Sequence, residues 1–319
     1  MGKELSTDRC TLFIARGIAL SKKRKYKGAV EAFQKALALD PGKSGIGILL
    51  GISLIGAGRD EEAISCLKDA LAGNPESVDA LYNLGIAYSN LGREYDAIEC
   101  YDSAIRINPG FSGTRINRAV LLHGRGDPDG ALKELDLAIR DSPDSADAWY
   151  NRGVIQLDRE LFRDSIVSFN EVIRINPNVH EAFYNRGVAL AALGDYAGAV
   201  GSYDEAIALC PAYGLALLNR GVCLAASGHY PDAVSSFDRV LRLDNRHTGA
   251  WYNRGIALAH LGMHKDAAES FSKVVATEPE KSESWQLMGR SLEALGRDEE
   301  AREAYKKACE KNTQKRNEK

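Results

Sequence analysis

No stretch of this chain is apolar for long enough to cross a bilayer. The two longest, Cys10 to Leu20 and Ile46 to Ala57, fall short of the ~20 residues that a span requires, and Arg16 interrupts the first. No C-x-x-C pair occurs either. The six cysteines (Cys10, Cys66, Cys100, Cys210, Cys223, Cys309) are scattered singly, which fits free thiols in a reducing, cytoplasmic setting better than disulfides or a zinc site. Neither charge dominates: 41 Lys and Arg stand against 44 Asp and Glu, a net charge of −3, so there is no broad basic surface for phosphate backbones and nucleic acid is not an expected partner. Phosphate loops of the G-x-x-x-x-G-K-[ST] type are missing, and no serine, cysteine and histidine arrangement suggests a nucleophile. His260 and His264 are four residues apart, but they straddle a turn at Gly262 and no third ligand completes a tetrahedral set. These absences predict a non-catalytic chain with no metal and no cofactor.

What the chain does have is a period. Pro41, Pro75, Pro109, Pro143, Pro177 and Pro211 are spaced by 34 residues, and Pro279 falls two periods beyond Pro211, with Asn245 between. A fixed period of this size signals a solenoid. With the proline at position 32, nine repeats run over 10–43, 44–77, 78–111, 112–145, 146–179, 180–213, 214–247, 248–281 and 282–315. Residues 1–9 are read as a leader and 316–319 as a tail. Position 8 is glycine in eight repeats and Ala119 in the fourth; position 20 is alanine in eight and Ser165 in the fifth. Small residues recur where helices must approach closely. The bulky knobs fall at position 4 (Trp149, Phe183, Trp251, Trp285) and position 24 (Phe33, Tyr101, Phe169, Tyr203, Phe237, Phe271, Tyr305). Between them, apolar residues at helical spacing are split by turns such as Gly194-Asp195, which gives two helices per repeat, the second ending before the proline.

This pattern resembles the tetratricopeptide repeat, W-x₂-L-G-x₂-Y…A-x₃-F…P, in a variant with Asn-Arg-Gly at positions 6 to 8. The resemblance implies an all-α, right-handed superhelical solenoid of antiparallel helix pairs, one continuous stack, with a concave groove lined mainly by first helices. It implies a non-catalytic protein-interaction scaffold that takes a peptide segment of a partner protein. In the last repeat, Arg302 and Lys311 replace apolar residues, which predicts a charged outer face facing solvent and no tenth repeat. Gly45 and Gly47 open repeat 2 at ~1 kcal/mol each against alanine, which predicts the loosest joint there.

At position 7 the family leucine gives way to Arg118, Arg152, Arg186, Arg220 and Arg254 in five consecutive repeats. Position 25 of each preceding repeat reads Asp102, Asp136, Asn170, Asp204 and Asp238, but Gln34, Lys68 and Ser272 where no arginine follows. An arginine at a packing position needs a partner, so inter-repeat pairs at a constant separation are predicted: Asp102–Arg118, Asp136–Arg152, Asn170–Arg186, Asp204–Arg220 and Asp238–Arg254. Arg16, with no preceding repeat, is expected to be solvated.

Positions 2, 5, 6, 9, 12 and 13 share one face of the first helix. Position 6 carries Asn83, Asn117, Asn151, Asn185, Asn219 and Asn253, and position 5 carries Tyr82, Tyr150, Tyr184 and Tyr252. An amide offers a donor and an acceptor to an extended main chain, and tyrosine is a rigid amphipathic surface favoured at interfaces. Position 9 is aliphatic from Ile86 to Ile256. The asparagine row is similar to that lining the repeat domain of the O-linked N-acetylglucosamine transferases, where it holds peptide main chains. The lysine, arginine and asparagine clamp of chaperone-binding members is not expected. The plainer reading makes Asn and Tyr fillers that satisfy neighbouring helices. Two other functions are carried: self-association through the end repeats, disfavoured by Arg302 and Lys311, and RNA or anion binding through Lys22-Lys23-Arg24-Lys25 at the first turn. Met1-Gly2-Lys3-Glu4-Leu5-Ser6 also fits an N-myristoylation pattern, one that short sequences meet by chance.

Overall fold

A computed structural model describes residues 2–317, with side chains for 8–43 and 45–312; the acylation pattern at residues 1–6 lies outside those side chains. The described chain is helical throughout, as eighteen helices in nine hairpins. First helices are α1 (Gly2–Lys22), α3 (Ser44–Gly56), α5 (Val78–Asn90), α7 (Ser112–Gly124), α9 (Ala146–Asp158), α11 (His180–Ala192), α13 (Gly214–Ala226), α15 (Thr248–His260) and α17 (Ser282–Ala294). Second helices are α2 (Tyr26–Leu39), α4 (Asp60–Gly73), α6 (Glu94–Ile107), α8 (Pro128–Asp141), α10 (Phe162–Ile175), α12 (Tyr196–Leu209), α14 (Tyr230–Leu243), α16 (His264–Thr277) and α18 (Asp298–Asn317). Helix α1 thus takes in residues read as a leader, and α18 runs past residue 315. The hairpins form two compact units, residues 1–155 and 156–319.

Within each unit the period sets the packing. Each interhelix turn needs a left-handed residue, supplied by glycine at Gly58, Gly92, Gly126, Gly194, Gly228, Gly262 and Gly296, by Arg24 (φ 54°) in repeat 1 and by Glu160 (φ 59°) in repeat 5. The alanines of position 20 are fully or almost fully buried, from Ala29 to Ala301. Glycine at position 8 seats the ring of position 24: a methyl carbon added at Gly221 would lie 2.6 Å from Phe237, and one at Gly289 2.7 Å from Tyr305. At position 4 the indole N–H groups of Trp149, Trp251 and Trp285 each donate at 2.9 Å to a carbonyl six residues earlier, Pro143, Asn245 and Pro279. The tryptophan ties one repeat's closing loop to the next repeat's opening helix. In repeat 4 Arg115 does this instead, donating from Nε to the Pro109 carbonyl at 3.2 Å.

All five arginine pairs form as the register predicts. Arg118, Arg152, Arg220 and Arg254 each donate through Nε to their aspartates at 2.7, 2.8, 2.6 and 2.6 Å, and Arg186 reaches Asn170 Oδ1 at 3.0 Å. A second partner sixteen residues on was not foreseen. Arg186, Arg220 and Arg254 also donate to Ser202, Ser236 and Ser270, and Arg118 pairs with Glu134 at 3.0 Å. Each of these arginines therefore pins the preceding second helix to the second helix of its own repeat. The aspartates stand 41% to 59% exposed, so each ion pair contributes less than about 1 kcal/mol, and its role is registration more than strength.

Two expectations are corrected. The loosest repeat joint described within either unit is α6 against α7, not repeat 2. Gly47 lets α3 approach α4 closely, with the Cys66 thiol on its carbonyl at 3.3 Å, whereas repeat 4 opens with the buried polar residues Thr114 and Arg115. Lys311 is not a free solvent-facing charge, because its Nζ lies 2.8 Å from Glu280 in the preceding loop; Arg302 and Arg16 are exposed as expected. The six cysteines are free thiols.

Candidate functional site

In unit 1 the first helices α1, α3 and α5 touch one another in succession, as do α11, α13, α15 and α17 in unit 2, so these first helices form a shared wall in each unit. All ten tyrosines and asparagines of positions 5 and 6, on α5, α11, α13 and α15 and on α7 and α9, are half-buried. At position 9 Val120 (47%) and Val222 (43%) are exposed, while Ile86, Val154, Val188 and Ile256 are half-buried. Each unit thus offers one exposed valine among half-buried aliphatics, amides and phenols.

In unit 1, Asn83 and Asn151 each donate from Nδ2 to a carbonyl one turn back, Asp79 at 2.7 Å and Asp147 at 2.8 Å. That anchors the donor end of each amide and fixes the direction of its Oδ1. Asn117 is hydrogen-bonded to the hydroxyl of the buried Tyr101. Tyr82 stands edge-on to Phe111, ring centroids 5.1 Å apart. Tyr150 is half-buried on α9.

In unit 2, Asn219 reaches back one repeat and donates to the Tyr184 hydroxyl at 3.2 Å, with Tyr184 packed against Tyr213 at 5.1 Å. The Tyr252 ring lies under the Lys281 ammonium at 4.2 Å, and its hydroxyl is hydrogen-bonded to Glu283. Asn185 and Asn253 complete the row. Phe111, Tyr213 and Lys281 all occupy position 34, the last residue before the next first helix, so each of these three tyrosines is braced by the end of its own repeat. Sequence reading passed over position 34 because its residue type changes from repeat to repeat. The common feature is the contact.

Asparagines and tyrosines are therefore partly committed to holding helices and repeats together, as the plainer reading had it, while remaining half-buried, not fully enclosed. Burial pushes the Tyr101, Tyr184 and Tyr203 hydroxyls above the ordinary phenol range, and Tyr252 is pushed up to about 12 by burial and by the Glu283 carboxylate. The folded protein thus holds phenol protons that the unfolded chain releases near pH 10. Stability from these groups is complete below that pH and falls as the pH rises through it. Burial likewise holds the Cys66, Cys100 and Cys223 thiols protonated, so urea midpoints are expected to begin falling above about pH 8.5 and to drop more steeply above about 10, with part of the tyrosinate absorbance appearing only on unfolding; a midpoint unchanged to pH 11 would contradict the burial of these groups.

Among the described residues no cluster of His, Cys, Asp and Glu could hold a metal ion, and no helix is long and apolar enough to cross a membrane.

Sequence profiles described as tetratricopeptide repeat match residues 116–178, 156–214 and 218–280, and others match 20–69, 78–111 and 282–312. A profile described as TPR repeat matches 54–92. No curated protein matches the chain. Among solved structures the chain is similar to YrrB, described as a TPR protein with an unusual peptide-binding site, at 26% identity and TM-score 0.55 over 59% of this chain and 96% of that one. It shares its fold with PilF of Pseudomonas aeruginosa (20% identity, TM-score 0.58, 65% of this chain and 94% of that one). It also shares it with the Cut9–Hcn1 assembly of the APC/C (16%, 0.53, 88% and 55%).

Proposed function

We propose that this chain, which belongs to the tetratricopeptide repeat family, is a non-catalytic scaffold that holds a peptide segment of a partner protein along the wall of first helices. The carrying observation is the exposed valine at position 9 in each unit, Val120 in the first and Val222 in the second, on first helices whose asparagines and tyrosines are half-buried and in part held by hydrogen bonds. Exposed β-branched side chains gain by being covered, and amides held by one hydrogen bond lose little rotamer freedom when they make another to a main chain. YrrB, at 26% identity, supports the reading by carrying a peptide-binding site on the same repeat architecture. The same features support a cytoplasmic scaffold over an RNA-binding one, since the cationic turn at Lys22 to Lys25 is a local cluster on an otherwise balanced surface.

The test is capture of partners from native lysate, mapping of the bound segment, and titration of that peptide. The triple variant Asn185→Ala, Asn219→Ala, Asn253→Ala, all within unit 2, is expected to weaken the binding of a segment held there by about tenfold or more with an unchanged helical spectrum. Unchanged affinity would remove the groove reading.

A further inference from the structure

The wall changes chemistry abruptly in α17. Position 6, asparagine from Asn83 to Asn253, becomes Leu287, and position 9, aliphatic in every earlier repeat, becomes Arg290. Both changes fall on one hollow. Between repeats 8 and 9 a cavity of about 240 Å³ is walled by Ile256, Ala259 and Leu287, with the Phe271 ring behind them and His260, His264 and Arg290 at its rim. That volume exceeds the ~150 Å³ known to admit a benzene ring. No acidic residue lines it. Arg290 is exposed and, among the described residues, has no carboxylate within ion-pair distance, unlike the position-7 arginines Arg220 and Arg254 of the same unit, which are paired. His260 is held in place by stacking on Tyr230, centroids 4.5 Å apart and planes 2° from parallel. His264 Nδ1 is buried without a hydrogen-bond partner, a cost that a ligand oxygen would relieve.

We infer that this hollow receives a bulky apolar side chain of the bound segment whose neighbouring carboxylate pairs with Arg290. The inference deepens the peptide reading above and rests on it for the nature of the ligand. The equivalent hollow between repeats 3 and 4, about 190 Å³, has the same register but places Asn117 where Leu287 stands and Val120 where Arg290 stands, so it offers a carboxylate no cation. The two hollows would thus read different side chains, and the acidic-apolar one belongs to the repeat 8–9 end.

The probe is 3-phenylpropionate, an aromatic ring and a carboxylate in one small molecule, compared with 3-phenylpropan-1-ol by saturation-transfer NMR and by amide-shift titration of the full chain. Millimolar binding is expected for a ligand of this size, with the carboxylate favoured about fivefold or more over the alcohol and the shifts confined to α15 and α17. Arg290→Gln should bring the two ligands level. Ala259→Trp, which fills the cavity from a half-buried position, should abolish both. Equal binding of acid and alcohol to the unaltered chain, no binding of either, or indifference to both substitutions would overturn the inference. If it falls while a mapped peptide still depends on the asparagines, the peptide reading stands and only this pocket assignment is lost.

Discussion

Replacing Arg115 by alanine is expected to destabilise unit 1 by about 2 kcal/mol, because it removes a buried guanidinium together with its ion pair to the half-buried Glu134 and its hydrogen bond to a loop carbonyl. Arg115 is only 8% exposed, although it stands where the family carries an aromatic. Its guanidinium reaches Glu134 at 3.0 Å, lies 3.8 Å from Asp141, and donates to the Pro109 carbonyl at 3.2 Å. Alanine would leave Glu134 to Arg118 alone and orphan a carbonyl that tryptophan serves in three other repeats. It would also remove an aliphatic stem from the joint between α6 and α7, already the loosest described. Arg115→Trp separates these losses. It restores both the N–H donor and the apolar bulk but not the charge, so it should cost clearly less than alanine. Because stacked repeats open locally, the measurement is amide hydrogen exchange in α7 and α8 alongside urea unfolding. Protection in those helices equal to that of the unaltered chain would show that the cluster contributes nothing.

The same residue marks the limit of what the sequence could tell. The 34-residue step was legible because each repeat meets the same neighbours, so a residue type recurring at one position reports one recurring contact. The arginine register was legible for a stronger reason: Asp102, Asp136, Asp204 and Asp238 appear only where an arginine follows sixteen residues later, a conditional pattern that identical packing alone would not produce. The serines at position 23 obey a similar condition, since Ser202, Ser236 and Ser270 sit in repeats that carry the arginine, and they could have been found the same way. What stayed hidden lies at single repeats. Arg115 takes the place of an aromatic at position 4, and only the structure shows that it serves the same carbonyl; the Glu280 partner of Lys311 lies in a loop outside the helical register; and the hollow at Leu287 depends on volumes left between side chains, which no spacing encodes.

Gly255→Ala is expected to destabilise unit 2 by about 2 kcal/mol, although alanine is the better helix former by ~1 kcal/mol. The added methyl carbon would lie 2.7 Å from Phe271 Cε1 and 2.8 Å from Cζ, so the wholly buried ring would have to shift out of its seat toward the hollow that it borders. The chain contains its own control. Repeat 4 carries Ala119 at position 8, and there position 24 is Leu135, a smaller side chain that packs in the same cluster. In repeat 2 a methyl carbon added at Gly51 would lie 2.6 Å from Leu67, so leucine alone does not open the seat, while repeat 4 shows that alanine and leucine can be packed together there. Phe271→Leu alone should cost about 1.5 kcal/mol through the cavity it leaves. The double variant Gly255→Ala, Phe271→Leu should then cost well under the sum of the two, with a coupling of about 1.5 kcal/mol, since the methyl group fills what the ring vacates. Urea midpoints and slopes for the four proteins of this cycle decide it. Strict additivity would mean that positions 8 and 24 do not meet as knob and seat, and that the small residue at position 8 answers to helix geometry alone.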